Sequence, residues 1–214
     1  MTQPVNEKRW QGLCARLSNG PTPADPTPLV LERLNAYFAA RDQWSQVHNI
    51  GGPRALAEPS DDLVDVMALS ALIDQSLPLI DVGSGGGIPG LLLACLHSTL
   101  EVHLVEPAAK RCAFLQNVAH QLKLSKVKVH RARWPASVLS QGTAAQLVSR
   151  AVVSPSQWPV LAATQATVRI FQYLAAERPA WQLADYQLTG EVSYQSADGH
   201  ARLLRRWDRE RMSD

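Results

Sequence analysis

Leu79-Ile80-Asp81-Val82-Gly83-Ser84-Gly85-Gly86-Gly87-Ile88-Pro89-Gly90 runs from an apolar stretch into a dense glycine turn and on into a second apolar run, Leu91 to Leu96. The pattern predicts a buried strand over 79–83, a tight turn, and a helix over 88–97. Glycine admits positive φ and lets backbone approach a ligand closely, at a cost in chain entropy that a ligand-free turn has little reason to bear. A helix start above a strand end also offers free N–H groups to a polar ligand. Doubly wound α/β sheets hold nucleotide-like cofactors at this place.

Downstream of Pro78, strand and helix patterns alternate, as a parallel sheet requires. Strands are expected at 79–83, 100–106, 126–130, 145–149 and 167–173, with helices at 88–97, 108–123 and 154–164. The region 185–207 reads as two further strands joined by the turn Ser196-Ala197-Asp198-Gly199. Upstream, Asn6 to Leu17 suggests a helix, and Pro21, Pro23, Pro26 and Pro28 an extended connector. Leu29 to Val47 is a helix with Val30, Leu31, Leu34, Tyr37, Phe38 and Trp44 on one apolar stripe. Ser60-Asp61-Asp62 then caps a helix reaching about Asp74. The organisation expected is a helix and proline linker (1–28), a helical layer (29–76) and a Rossmann-like core (77–210).

Two templates compete for the glycine loop. Gly85, Gly87 and Gly90 satisfy G-x-G-x-x-G, a weak dinucleotide signal taken alone. Asp81, Gly83, Gly85 and Gly87 satisfy the D-x-G-x-G-x-G pattern of S-adenosylmethionine-dependent methyltransferases. Asp81 discriminates between them. A carboxylate repels a pyrophosphate but attracts the sulfonium and α-ammonium of S-adenosylmethionine. Glu106 closes the next strand, Leu100 to Glu106, about twenty residues after the loop, where such folds place a carboxylate on ribose hydroxyls. Two hydroxyls donating to one carboxylate make charge-assisted bonds.

The chain of 214 residues has the length of one large α/β domain. Leu91 to Leu96 is far too short to span a bilayer, and no apolar run follows Met1-Thr2-Gln3-Pro4, so neither a membrane segment nor a signal peptide is expected. Cys14, Cys95 and Cys112 are too scattered for a metal site or a disulfide set. Buried thiols in a reducing cytoplasm follow, and no metal is expected. His97, His103, His120 and His130 share no ligand-like spacing. The net charge of +2 is small, but its distribution is uneven: no Asp or Glu lies between Pro107 and Ala176. That stretch holds Lys110, Arg111, Lys123, Lys126, Lys128, Arg131, Arg133, Arg150 and Arg169, the footprint of a polyanion-binding face. Lys110, Arg111, Lys123, Lys126 and Lys128 are the leading phosphate contacts.

With these residues in hand, the chain resembles the ribosomal RNA small subunit methyltransferase G family, also called glucose-inhibited division protein B. The resemblance rests on Asp81 to Gly90, on Leu104-Val105-Glu106-Pro107-Ala108-Ala109-Lys110-Arg111-Cys112-Ala113-Phe114-Leu115, and on Val148-Ser149-Arg150-Ala151. It implies a class I methyltransferase fold, mostly parallel with a C-terminal antiparallel hairpin and an N-terminal helical extension. It implies methyl transfer from S-adenosylmethionine to N7 of a guanine in 16S rRNA, with the rRNA or the small ribosomal subunit as partner. The oligomeric state stays open in the sequence, a monomer being favoured. By resemblance Arg150 borders the cofactor and substrate cleft as the catalytic candidate, Gly83 and Ile88 belong to the cofactor loop, and Arg133 and Trp134 fall at the adenine end, where Trp134 is placed to stack. Three positions depart from the family pattern. No acid accompanies Arg133. Asp65-Val66-Met67-Ala68-Leu69-Ser70 stands where a His…Asp-Ser group is usual, keeping only the serine, and Leu174-Ala175-Ala176-Glu177 replaces a Lys-Gly pair. A relative that binds ribosomal RNA without turnover, and a methyltransferase for another substrate, are the alternatives; a nicotinamide-dependent dehydrogenase is disfavoured by Asp81.

Overall fold

The computed structural model describes residues 3–19, 21, 23–47, 50, 59–136, 138–140, 143–150, 152–163, 167–175 and 183–210. Ala151, residues 176 and 177, and the loop at 49–53 apart from Ile50 lie outside them. Among the described residues, α1 (Glu7–Cys14), α2 (Pro28–Ser45) and α3 (Pro59–Ser70) come first. Then follow β1 (Leu79–Val82), α4 (Gly90–Leu96), β2 (Val102–Val105), α5 (Ala109–Gln121), β3 (Val127–His130), β4 (Gln146–Ser149), α6 (Trp158–Ala163), β5 (Arg169–Ala175), β6 (Tyr186–Gln195) and β7 (Ala201–Arg209).

All seven strands join one sheet in the order β3-β2-β1-β4-β5-β7-β6. β1 to β5 pair in parallel, while β7 runs antiparallel between β5 and β6. This is the mostly parallel sheet with a C-terminal hairpin that the sequence predicts. β1, β2 and β4 are buried at every position, as parallel strands covered on both faces must be, whereas the edge strand β3 is half exposed.

Most elements are shorter than periodicity alone suggests, while β5 is shifted two residues onward from the expected 167–173 and β7 runs on to Arg209, past the expected 207. α3 stops at Ser70 because the chain turns through Ala71 and Leu72, and Asp74 closes a local turn by accepting from the Ser76 amide at 3.0 Å and its hydroxyl at 2.6 Å. One face of the sheet packs under the N-terminal helices, α4 and α5, where Trp10, Leu34, Tyr37, Phe38, Leu63 and Met67 share a core with Leu79, Leu104, Phe114 and Phe171. The other face carries Ile80, Val82, Val105, Leu147 and Ile170 under α6 and the segment containing Ala132, Trp134 and Leu139. In α2 the buried stripe is Leu34, Tyr37, Phe38 and, unforeseen, Arg41. All three cysteines are free and buried.

Candidate active site

The strand order turns back between β1 and β4, and ligands of open α/β sheets bind at the carboxyl edge of such a switch point. There β1 gives way to the glycine loop. Gly83 and Gly87 hold φ of +71° and +89°, left-handed values that a Cβ disfavours. At Gly83 the crowding is direct as well: a Cβ would overlap Val152 Cγ2. The Gly83 and Ser84 amides donate to the Val105 carbonyl at 2.8 and 3.2 Å, and the Ser84 hydroxyl donates to the Asp81 carbonyl at 2.8 Å. From α2, the Tyr37 hydroxyl donates to the Gly86 carbonyl at 2.7 Å, so the helical extension braces the loop from outside. Ile88, packed partly buried against the core, ends the loop.

Asp81 lies at the third position of β1 and is 1% exposed. Its Oδ2 accepts the Gly90 amide at 3.0 Å. This corrects the expected role of the helix: α4 begins at Gly90, two residues late, and its first amide is taken by Asp81 rather than offered to a ligand. Asp81 Oδ1 is buried with no hydrogen-bond partner among the described residues. Burial pushes the carboxyl up to about 7, helped by the nearby charge of Glu106, while the Gly90 amide, the neighbouring Ser84 hydroxyl and the charge of Arg150 pull it back. An orphaned carboxylate oxygen suits a cationic donor and penalises a phosphate. The residues therefore fit the ammonium of S-adenosylmethionine, and do not fit a dinucleotide.

Glu106 is also buried, at 2% exposure. Its Oε2 accepts the Gly85 amide at 3.0 Å and its Oε1 the Ala108 amide at 2.9 Å. Arg111 Nη1 stands 3.9 Å from Oε1. Two backbone amides orient the carboxylate and leave lone pairs for further donors such as a ribose diol.

Arg150 follows β4 and is gripped by α3. Its Nη1 donates to Asp62 Oδ1 at 2.6 Å, and its Nε lies 3.5 Å from Asp65 Oδ2. Burial works against its charge, but Asp62 and Asp65 outweigh that and hold the guanidinium protonated. Asp62 also accepts from buried Arg41 Nη1 at 2.6 Å. Asp65 receives the Tyr194 hydroxyl at 2.7 Å and Arg202 Nη1 at 3.2 Å. Asp61 takes Arg16 at 2.5 Å and Arg202 at 3.6 Å. This alternation of acids and arginines links α1, α2, α3, β4 and β7. The spacing Asp61-Asp62-x-x-Asp65 puts the acids within about one helical turn, but sequence reasoning read the first two only as caps. Ser70, the serine retained from the family pattern, contacts His97 Nε2 at 2.7 Å instead.

The remaining expected residues separate. Arg133 is exposed beyond the end of β3, while Trp134 packs against the core beneath α6 and its indole N–H reaches the Leu161 carbonyl at 3.4 Å. Lys110 and Arg111 sit in the first turn of α5, at the carboxyl edge of the sheet. Lys123 and Lys126 lie between α5 and β3, at the opposite edge, and Lys128 pairs with Glu101 at 2.6 Å. The acid-free segment is thus split between two edges. His103 and His130, which looked unrelated in sequence, stack at 5.0 Å between ring centroids because β2 and β3 lie side by side. Among the described residues no group of three or more His, Cys, Asp or Glu side chains is arranged to hold a metal ion, and no helix is long and apolar enough to cross a membrane.

Residues 30–182 match the family described as rRNA small subunit methyltransferase G. A Methylorubrum populi protein named ribosomal RNA small subunit methyltransferase G is 32% identical over 184 residues, covering 81% of this chain and 86% of that protein. One of the same name from Wolinella succinogenes is 36% identical over 125 residues, covering 58% of this chain and 64% of that protein, just under two thirds of its length. In fold, the chain is similar to M. capricolum TrmK in complex with S-adenosyl-homocysteine (TM-score 0.53, 11% identity, 70% of each chain). It is also similar to M. jannaschii TYW2 in complex with AdoMet (TM-score 0.52, 16% identity, 70% of this chain and 77% of that one).

Proposed function

The chain belongs to the rRNA small subunit methyltransferase G family, and from that premise we propose that it transfers the methyl group of S-adenosylmethionine to N7 of a guanine in 16S rRNA, acting on the small ribosomal subunit in the cytoplasm. The observation that carries this reading is Asp81, whose buried Oδ1 has no partner among the described residues at the mouth of a glycine loop, with Glu106 buried beside it.

S-adenosylmethionine supplies an electrophilic methyl group on a sulfonium. Guanine N7 carries an in-plane lone pair and no proton, so the reaction asks for alignment rather than a general base. The residues at the carboxyl edge suit that demand. Asp81 and Glu106 are fixed by backbone amides and serve to bind and orient. Arg150, held by two carboxylates, stands beside them as a fixed charge. Lys110, Arg111, Arg131 and Arg133 at the same edge attract phosphates without reading sequence.

The test uses small subunits from a strain lacking its own enzyme of this kind. After incubation with the purified chain and S-adenosylmethionine, mass spectrometry of digested 16S rRNA should reveal one new 7-methylguanosine. Saturable donor binding by calorimetry, with NAD as control, but no new 7-methylguanosine would overturn the reaction and leave a relative that binds without turnover.

A further inference from the structure

Beside Arg150 the carboxyl edge carries a hollow of about 250 Å³, lined by Asp65, Arg150, Tyr173, Tyr194 and Arg202, with exposed Ala175 on its rim. We propose that this cleft receives the base to be methylated, and that Asp65 selects guanine by accepting its N1–H and exocyclic amine. The inference rests on the methyl-transfer reading above and deepens it.

Position comes first. Arg150 follows β4, and Tyr173 and Ala175 end β5 next to it. β4 pairs with β1 on one side and β5 on the other, so the ends that carry the glycine loop, Arg150 and Tyr173 are neighbours along the carboxyl edge. Size then limits the occupant. Whole-ligand pockets run to roughly 300–1,000 Å³, so this cleft suits a single ring system rather than the cofactor.

The polar pattern chooses among rings. Asp65 is 2% exposed. Its Oδ1 is well satisfied by Tyr194 and Arg202, at 2.7 and 3.2 Å. Among the described residues its Oδ2 is approached by Arg150 Nε and Arg202 Nη1, both at 3.5 Å and too long for full hydrogen bonds. That oxygen retains accepting capacity. Guanine presents N1–H and an amine on one edge, both donors, whereas adenine presents an acceptor at N1 that a carboxylate repels. Tyr173 and Tyr194 supply aromatic surface, their hydroxyls already committed to the Asp65 carbonyl at 3.0 Å and to Oδ1.

Orientation follows from the shape of the base. N7 lies on the side of a purine away from N1 and the amine, so pinning those donors to Asp65 turns N7 out of the cleft, toward the glycine loop. As the N7 lone pair bonds the methyl carbon and the carbon–sulfur electron pair returns to sulfur, positive charge passes to the base. Its N1–H becomes the stronger donor, and its bond to Asp65 strengthens as transfer proceeds, which is the form of binding that accelerates a reaction.

The test is saturation-transfer NMR with guanosine and 1-methylguanosine, with S-adenosyl-homocysteine saturating the cofactor pocket. Guanosine is expected to bind at least tenfold more tightly than 1-methylguanosine, which lacks the N1–H. Ala175→Trp, on the exposed rim, should abolish guanosine binding while S-adenosyl-homocysteine affinity stays within twofold, the latter also reporting that the variant folds. No guanosine binding by the wild-type chain, equal binding of the two nucleosides, or undiminished binding by Ala175→Trp would overturn the pocket. Intact discrimination in a chain that methylates no RNA would support the pocket and count against the methyl-transfer reading alone.

Discussion

Asp81 closes the glycine loop with one oxygen, through the Gly90 amide, and leaves the other without a partner among the described residues. Burial pushes its carboxyl from the ordinary 3.8 up to about 7. The folded chain therefore holds a proton between about pH 4 and 7 that the unfolded chain has released, and stability falls as pH rises through that window. Cofactor binding runs the other way. A cationic ammonium favours the ionised carboxylate, so S-adenosylmethionine affinity should climb up to about pH 7 and then level, with proton release visible in calorimetry across buffers of different ionisation enthalpy. Asp81→Asn should flatten that profile and weaken binding by about 10–100-fold, as expected for a hydrogen bond to a charged group worth roughly 1.5–3 kcal/mol. A profile that stays sloped in the variant would assign the proton elsewhere. Gly90 tests the same corner by packing. A Cβ there would stand 2.8 Å from Asp81 Oδ2 and overlap Leu104 Cδ2. Gly90→Ala should thus cost about 1–3 kcal/mol, typical of overpacking, and thermal unfolding should show it as a fall of several degrees; an unchanged melting temperature would mean the loop gives way freely.

α3 shows what periodicity can and cannot convey about an element. Its spacing announces a helix with acidic residues at its start, and the glycine turn and the alternation of strands and helices were legible because each depends on local sequence, whereas the strand order was not. The partners of Asp62 were not legible. Arg41 lies 21 residues before it and Arg150 lies 88 residues after it, and only the assembled fold brings them to 2.6 Å. The departure from the family's His…Asp-Ser pattern looked like a loss in sequence; in space, Asp62 and Asp65 hold the arginine that borders the site. Removing one member of such a buried set strands the others without countercharge. Asp62→Asn should cost about 3–5 kcal/mol in urea unfolding, and adding Arg41→Met should recover part of that, since replacing buried ion pairs by apolar groups is often neutral. A single-variant cost below about 1 kcal/mol would show that water reaches Asp62 and screens the pair.

At the scale of the molecule, the fold redistributes charges that the sequence presents as one basic run. Parallel strands force each crossover helix to carry the chain from the carboxyl edge back to the amino edge, so residues a dozen positions apart in α5 and its flanks end on opposite sides. Lys110 and Arg111 share the carboxyl edge with Arg131 and Arg133, which follow β3, whereas Lys123 and Lys126 sit at the other edge. Arg169 is drawn off by Asp208 at 2.7 Å and Lys128 by Glu101 at 2.6 Å. Phosphate contacts release counterions, and each contributes about 0.7–0.9 to the slope of log affinity against log salt. Replacing Lys110, Arg111, Arg131 and Arg133 together by Gln should therefore lower that slope by about 3–3.5 for binding to small subunits, measured by co-sedimentation between 50 and 200 mM salt. Lys123→Gln with Lys126→Gln should leave it unchanged, because an RNA seated over the glycine loop has no reason to reach the far edge. Equal losses from the two sets would mean that the RNA wraps around the α5 side of the sheet, and the amino-edge lysines would then belong to the binding face.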